Sequence, residues 1–184
     1  MTMERAASGL GPDCGPSQLE QTAQASTPGP PGPKGQTFHS DFAITDLPDP
    51  KLRTLYDIWL EKCQADRLPG RQDFDPVDLP PTLLPWITIF DVEGGRFRIR
   101  IVGTGIVQVM GQDTTGRYLD ELPNTDVLQA RARWAVENAK PFYVTDLTMV
   151  WDEDRWGRYS VLCTPLAANG TDVDKLLYLM SFDD

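Results

Sequence analysis

Trp86-Ile87-Thr88-Ile89-Phe90-Asp91-Val92-Glu93-Gly94-Gly95-Arg96-Phe97-Arg98-Ile99-Arg100-Ile101-Val102-Gly103-Thr104-Gly105 is the stretch that decides how this chain folds. Two strand-like runs, 86–92 and 96–102, flank Glu93-Gly94-Gly95, a short glycine-containing loop of the kind that joins antiparallel strands. In the second run Phe97, Ile99 and Ile101 alternate with Arg96, Arg98 and Arg100, which predicts one apolar face and one basic face. Gly103-Thr104-Gly105 then leads into a short helical or irregular turn over 105–111 that carries Ile106, Val109 and Met110. Gly111-Gln112-Asp113-Thr114-Thr115-Gly116-Arg117 follows it. A hairpin joined to a glycine-punctuated helical segment suits a small sensor or interaction domain better than it suits most enzymes.

Upstream of the hairpin, Asp49-Pro50 has the makings of a helix start: an Asp N-cap, then Pro at the first helical position, where a missing N–H costs nothing. Leu52, Leu55, Tyr56, Trp59 and Cys63 recur at helical spacing and predict one apolar stripe. That helix must stop before Leu68-Pro69-Gly70. The prolines and acidic residues of 73–85 exclude regular structure, yet Phe74, Val77, Leu79, Leu83 and Leu84 can pin this connection onto the body. Downstream, a longer helix is predicted over about 125–139, with Val127, Leu128, Ala130, Arg131, Trp134, Ala135 and Asn138 at inner and flanking positions, and Pro141 ends it. Three strands follow, at 141–151, 156–166 and 175–182. Their linkers, Asp152-Glu153-Asp154 and Ala168-Asn169-Gly170-Thr171, carry turn chemistry. Five antiparallel strands with helices make an α+β layout. Within it, Lys175-Leu176-Leu177-Tyr178-Leu179-Met180-Ser181-Phe182 is apolar on both faces, so each side of the sheet needs a cover.

The chain has 184 residues and a formal charge of −10, enough length for one domain with a real core. That charge argues against nucleic acid or an anionic membrane as a partner, because phosphate binding draws on clustered Lys and Arg. No apolar run approaches the roughly 18–20 residues of a membrane span, and residues 1–10 lack the apolar core of a signal peptide, so the expectation is a cytoplasmic protein. Cys14, Cys63 and Cys163 show no CxxC spacing, which points to reduced thiols in place of a disulfide framework or zinc site. Residues 1–36 hold six Gly and six Pro against four large apolar residues, and read as a disordered tail before a domain at 37–184.

The order of elements, together with certain motifs, resembles the PAS-like domains of a family of short bacterial proteins. The motifs are Trp59, Leu68-Pro69-Gly70-Arg71-Gln72-Asp73-Phe74-Asp75-Pro76, Leu83-Leu84-Pro85, Arg98-Ile99-Arg100-Ile101-Val102-Gly103-Thr104, and Gly111-x-Asp113-x-Thr115-Gly116-Arg117. The resemblance covers about 52–182, and its last three strands match by type and order alone. It implies a PAS fold and a sensory or regulatory role in bacterial signalling, and leaves ligand and cofactor unknown. The helices of 105–139 would enclose a cavity on one sheet face. The helix beginning at Asp49 would cover the other face or dock onto a second copy in a homodimer.

The residues assigned to a ligand cavity are Phe97, Ile99, Ile101, Ile106, Met110, Tyr118, Trp134 and Tyr178; those assigned to a partner interface are Leu55 and Trp59. The expectation is that no output domain follows the last strand and that a signal passes to another protein. Two rivals stay open: a pure interaction module with a filled core, and a small enzyme using the same cavity. Against the enzyme stands the lack of a nucleophile–base pairing, metal constellation or intact phosphate loop. Gly103-Thr104-Gly105-Ile106-Val107-Gln108 lacks the third glycine of a dinucleotide fingerprint and reads as a tight strand-to-helix turn. The single histidine, His39, precedes the first helix, which weakens both haem ligation by histidine and histidine base catalysis. No cysteine lies in 105–139 to form a flavin photoadduct. Cys163 reads as a buried inert thiol, Asp152-Glu153-Asp154 as a solvated turn, and the Arg96, Arg98, Arg100 row as one paired with surface carboxylates.

Overall fold

A computed structural model describes residues 29–30, 32–64, 67–77, 79–152 and 155–182. Strand β2 (Ile87–Glu93) pairs antiparallel with β3 (Arg96–Val102), and Gly94 and Gly95 between them take φ of 57° and 81°. Successive positive φ is what a tight hairpin loop demands, and glycine meets the demand without a Cβ clash. The other strands are β1 (Thr37–His39), β4 (Phe142–Asp152), β5 (Arg155–Leu166) and β6 (Lys175–Phe182). Together they form one six-stranded sheet in the order β1-β4-β5-β6-β2-β3, antiparallel at every pairing. The five expected strands are all present. The sixth, β1, pairs Phe38 with Val144 at the edge of β4; its three residues are too few to display an alternation in sequence.

Helix α1 (Pro50–Lys62) starts as its sequence dictates: the Asp49 carboxylate accepts a hydrogen bond from the Lys51 N–H at 2.6 Å, and Pro50 occupies the first turn. Its buried stripe of Leu52, Leu55, Tyr56 and Trp59 packs on β5 and β6 with Leu162, Leu166, Leu177 and Leu179. Burying each such side chain contributes about 1.5–3 kcal/mol. The connection 67–86 also closes onto this core through Leu68, Phe74, Leu79 and Leu83, so the Pro-rich segment is a packed loop as expected, except at Val77, which is 89% exposed and pins nothing. The opposite face carries Phe90, Phe97, Ile99, Val144, Val161, Leu176 and Tyr178, with Ala132, Trp134 and Ala135 of α3 (Asp126–Asn138) over them. Strand β6 is thus apolar on both sides because it lies between two cores.

Helix α2 (Thr104–Met110) begins directly after β3, and Gly111 caps it with φ of 71°. The turn needs Gly103 for a different reason, since its φ is −61°. A Cβ there would run into the backbone carbonyl of Pro85, while the Gly103 N–H donates to the Ile87 carbonyl at 2.8 Å. Gly103→Ala is expected to cost about 1–3 kcal/mol through overpacking, seen as a lower urea midpoint at unchanged slope. An unchanged midpoint would mean that the Pro85 turn yields freely.

Of the segment read as a disordered tail, residues 1–28 and 31 lie outside the described residues, and so do Glu153 and Asp154. In the described part, 29–30 and 32–36, a Cβ on Gly32 would meet the Arg131 guanidinium of α3.

Candidate functional site

Between the sheet and the layer formed by α2, α3 and the turn at Leu119–Glu121 lies a cavity of about 400 Å³, a size common among small-molecule pockets. The floor is Thr88 and Phe90 of β2, Ile99 and Val102 of β3, Phe142, Leu147 and Met149 of β4, Tyr159 and Val161 of β5, and Tyr178 and Met180 of β6. Ile106 and Met110 of α2, Leu119, and Val127, Leu128 and Arg131 of α3 form the roof, and Pro33 and Gln36 close one side. Met110 is 44% exposed, so it stands where the cavity meets solvent.

Two bulges decide which strand residues look inward. In the hairpin, Phe90 pairs with Ile99 but Ile89 pairs with Ile101, so Arg100 is an extra residue on β3. A bulge reverses the alternation beyond it. Val102 therefore joins Ile99 on the cavity side, and Ile101 turns to the other face, 40% exposed. In β4 the pairing jumps from Val144 to Leu147, with Asp146 at φ 59°, so Leu147 follows Val144 inward across the extra residue.

Four of the eight residues assigned to the cavity line it: Ile99, Ile106, Met110 and Tyr178. The other four do not, each for a physical reason. Ile101 is turned away by the bulge. Phe97, 3% exposed, sits opposite Val92 near the hairpin end and is solid core with Leu119. Tyr118 lies on the outside, its hydroxyl donating to the Glu93 carboxylate at 2.6 Å and its ring 3.8 Å from the Arg96 guanidinium. Trp134, nearly one turn past Arg131, packs edge-on to Phe38 of β1 at 5.1 Å and to Phe142 at 6.2 Å. The two residues assigned to a partner, Leu55 and Trp59, are both 0% exposed inside the α1 core, and the Trp59 indole N–H donates to the Pro165 carbonyl at 3.0 Å. They are seated within the chain because the stripe of α1 matches the apolar outer faces of β5 and β6.

The arginine row is paired. Arg96 meets Asp120 through two hydrogen bonds of 2.7 Å, Arg98 lies 3.8 Å from Glu93, and Arg100 lies 3.9 Å from Asp91, which also holds Lys175 at 2.8 Å. The cation that sequence reading did not assign to the site is Arg131, which is 6% exposed. Its Nη2 donates to the Gln36 side-chain oxygen at 2.7 Å, its Nε has no hydrogen-bond partner, and among the described residues no carboxylate pairs with it. Burial pulls its pKa below the usual arginine value, opposed by the nearby Tyr178 and Tyr159 phenols. Burial in turn raises the pKa of Tyr178 and Tyr159, so both phenols stay neutral at physiological pH. The Tyr178 hydroxyl, across from Cys163 in the β5–β6 pairing, forms no hydrogen bond of good geometry. Cys163 itself is fully buried, and burial raises its thiol pKa far above neutrality, which makes it inert as expected. One signal for Arg131 was present in the sequence: it shares the inner stripe of α3 with Leu128 and Ala135, and a charge on a buried stripe is the informative exception.

Among the described residues no cluster of His, Cys, Asp and Glu could hold a metal, and no helix is long and apolar enough to cross a membrane. No curated protein matches the chain. Among solved structures, the PAS domain of the histidine kinase ThkA is similar at 20% identity and a TM-score of 0.39, over 53% of this chain and 96% of that one. An RNA-binding light-oxygen-voltage receptor shares 11% identity at a TM-score of 0.46, over 79% of this chain and 38% of that one. The family model described as PAS domain matches residues 48–180. Since that match begins just before the Asp49 cap of α1, reaches into β6 and takes in α1, α2, α3 and every described strand except β1, the chain belongs to the PAS domain family.

Proposed function

We propose that this chain is a non-catalytic sensory or regulatory domain that binds a small apolar or amphipathic molecule in the cavity beneath α2 and α3 and relays its occupancy to a protein partner. The observation that carries this reading is the cavity of about 400 Å³ with a predominantly aliphatic and aromatic lining, where a filled interaction module would have packed side chains. The non-catalytic part is supported by the state of the ionisable acids on or beside the cavity. Tyr159, Tyr178 and Cys163 are all held protonated by burial, so none of the three is a general base poised near neutral pH.

The test is native mass spectrometry of the protein purified from its own cells, compared with a denatured run, for wild type and for Val102→Trp. The wild type is expected to carry a mass that is lost on denaturation. Val102→Trp fills the cavity from its floor and is expected to carry none, while unfolding within about 1–3 kcal/mol of wild type. Bare wild-type protein, or a bound mass that persists in Val102→Trp, would reject the cavity as the sensing site.

A further inference from the structure

The roof of the cavity holds a charge that no carboxylate among the described residues neutralises. Arg131 is buried to 6% exposure, yet its one side-chain partner among the described residues is the neutral Gln36 amide, and its Nε is left without an acceptor. By contrast the exposed Arg96, Arg98 and Arg100 of β3 each face a carboxylate. A buried guanidinium without a counter-charge is strongly unfavourable, and an arginine on this roof position would otherwise be better replaced by an apolar residue of like volume. Tyr178, 3% exposed, also lines the cavity beside it, and its neutral hydroxyl lies against the Cys163 thiol without a hydrogen bond of good geometry. The rest of the lining is apolar, including Ile99, Val102, Ile106, Leu128 and Val161.

We infer that the cavity is built for an apolar carboxylic acid, with the carboxylate on Arg131 and Tyr178 and the hydrocarbon part among the aliphatic lining. This rests on the ligand-binding reading above and narrows it to a chemical class. A carboxylate fits on three grounds. It accepts from the guanidinium fork and from a phenol at once; its single negative charge balances the single cation; and charge-assisted hydrogen bonds gain strength out of water. A dianionic phosphate would leave one charge unbalanced in the same apolar surroundings. Gln36 places a side-chain oxygen on the guanidinium from the segment preceding β1, so it stands where the carboxylate is to be received.

Calorimetric titration of the delipidated full chain with octanoate and with 1-octanol tests this directly, because the two probes share a chain and differ in the head group. Octanoate is expected to bind at least tenfold more tightly to the wild type. Arg131→Met, an apolar replacement of similar length, is expected to abolish that difference while still binding 1-octanol. Gln36→Glu, which supplies an internal counter-ion from the surface side, is expected to weaken octanoate at least tenfold with little effect on 1-octanol, and it keeps the test open if Arg131→Met fails to fold. Equal affinity of the two probes for wild type, or a preference that survives both substitutions, would overturn the carboxylate assignment and leave the cavity reading intact. Failure of both probes to bind would overturn the assignment, and the mass spectrometry described above then decides the cavity reading separately.

Discussion

Trp59→Ala is expected to destabilise the protein by about 3–5 kcal/mol, the range for removing a large aromatic from a packed core. Trp59 is 0% exposed, stacks on Tyr56 with ring centres 5.9 Å apart, and sits among Leu55, Leu162 and Leu166 beneath α1. Its indole N–H also satisfies the Pro165 carbonyl at 3.0 Å, so truncation leaves a buried acceptor unpaired in addition to a cavity. The loss is comparable to the whole stability of a marginal domain, and the variant is expected to be largely unfolded at physiological temperature. Urea unfolding reads the free energy, and sedimentation velocity reads the oligomeric state. A variant that stays fully stable but loses a dimer would place Trp59 at a partner interface and contradict its seat in the α1 core.

Trp134→Ala is the second large effect, again about 3–5 kcal/mol, and its pattern differs. The Trp134 ring meets Phe38 at 5.1 Å and Phe142 at 6.2 Å, both edge-on, and Phe38 in turn stacks on Phe142 at 4.8 Å. This aromatic group ties α3 to the three-residue strand β1 and thereby holds Gln36 near Arg131. Removing the indole is expected to raise amide exchange across Thr37–His39 well before the central strands β5 and β6 are affected. Because Trp134 does not line the cavity, ligand affinity in the folded fraction is expected to fall far less than stability does. Loss of binding at unchanged stability would instead make Trp134 a ligand contact.

Much of the architecture was legible because it follows from local pattern. The Gly94-Gly95 loop requires positive φ, Asp49-Pro50 can cap a helix, and a strand such as 175–182 with two apolar faces must lie between two layers. The candidate site was legible only in part, and Ile101 shows why. Its alternation with Arg100 and Arg98 is regular in sequence, but an inward position presupposes an unbroken pairing with β2. The bulge at Arg100 exchanges Ile101 for Val102. Tyr118 and Trp134 fail on a related ground: an aromatic side chain can fill core, cover a surface hairpin or line a cavity, and its neighbours choose among these.

The sequence by itself determined the three α-helices, five of the six described strands, their order, the two-sided sheet and the burial of Cys163. These depend on side-chain periodicity, turn chemistry and composition, which act over a few residues. Tertiary structure alone decided which of the apolar residues surround the cavity of about 400 Å³, that Leu55 and Trp59 are spent inside the chain, and that Arg131 is buried without a counter-charge among the described residues. Each of these turns on strand register and on what packs from elsewhere in the chain. Both are set by pairings such as Ile89 with Ile101 and Gln36 with Arg131, which no local pattern contains.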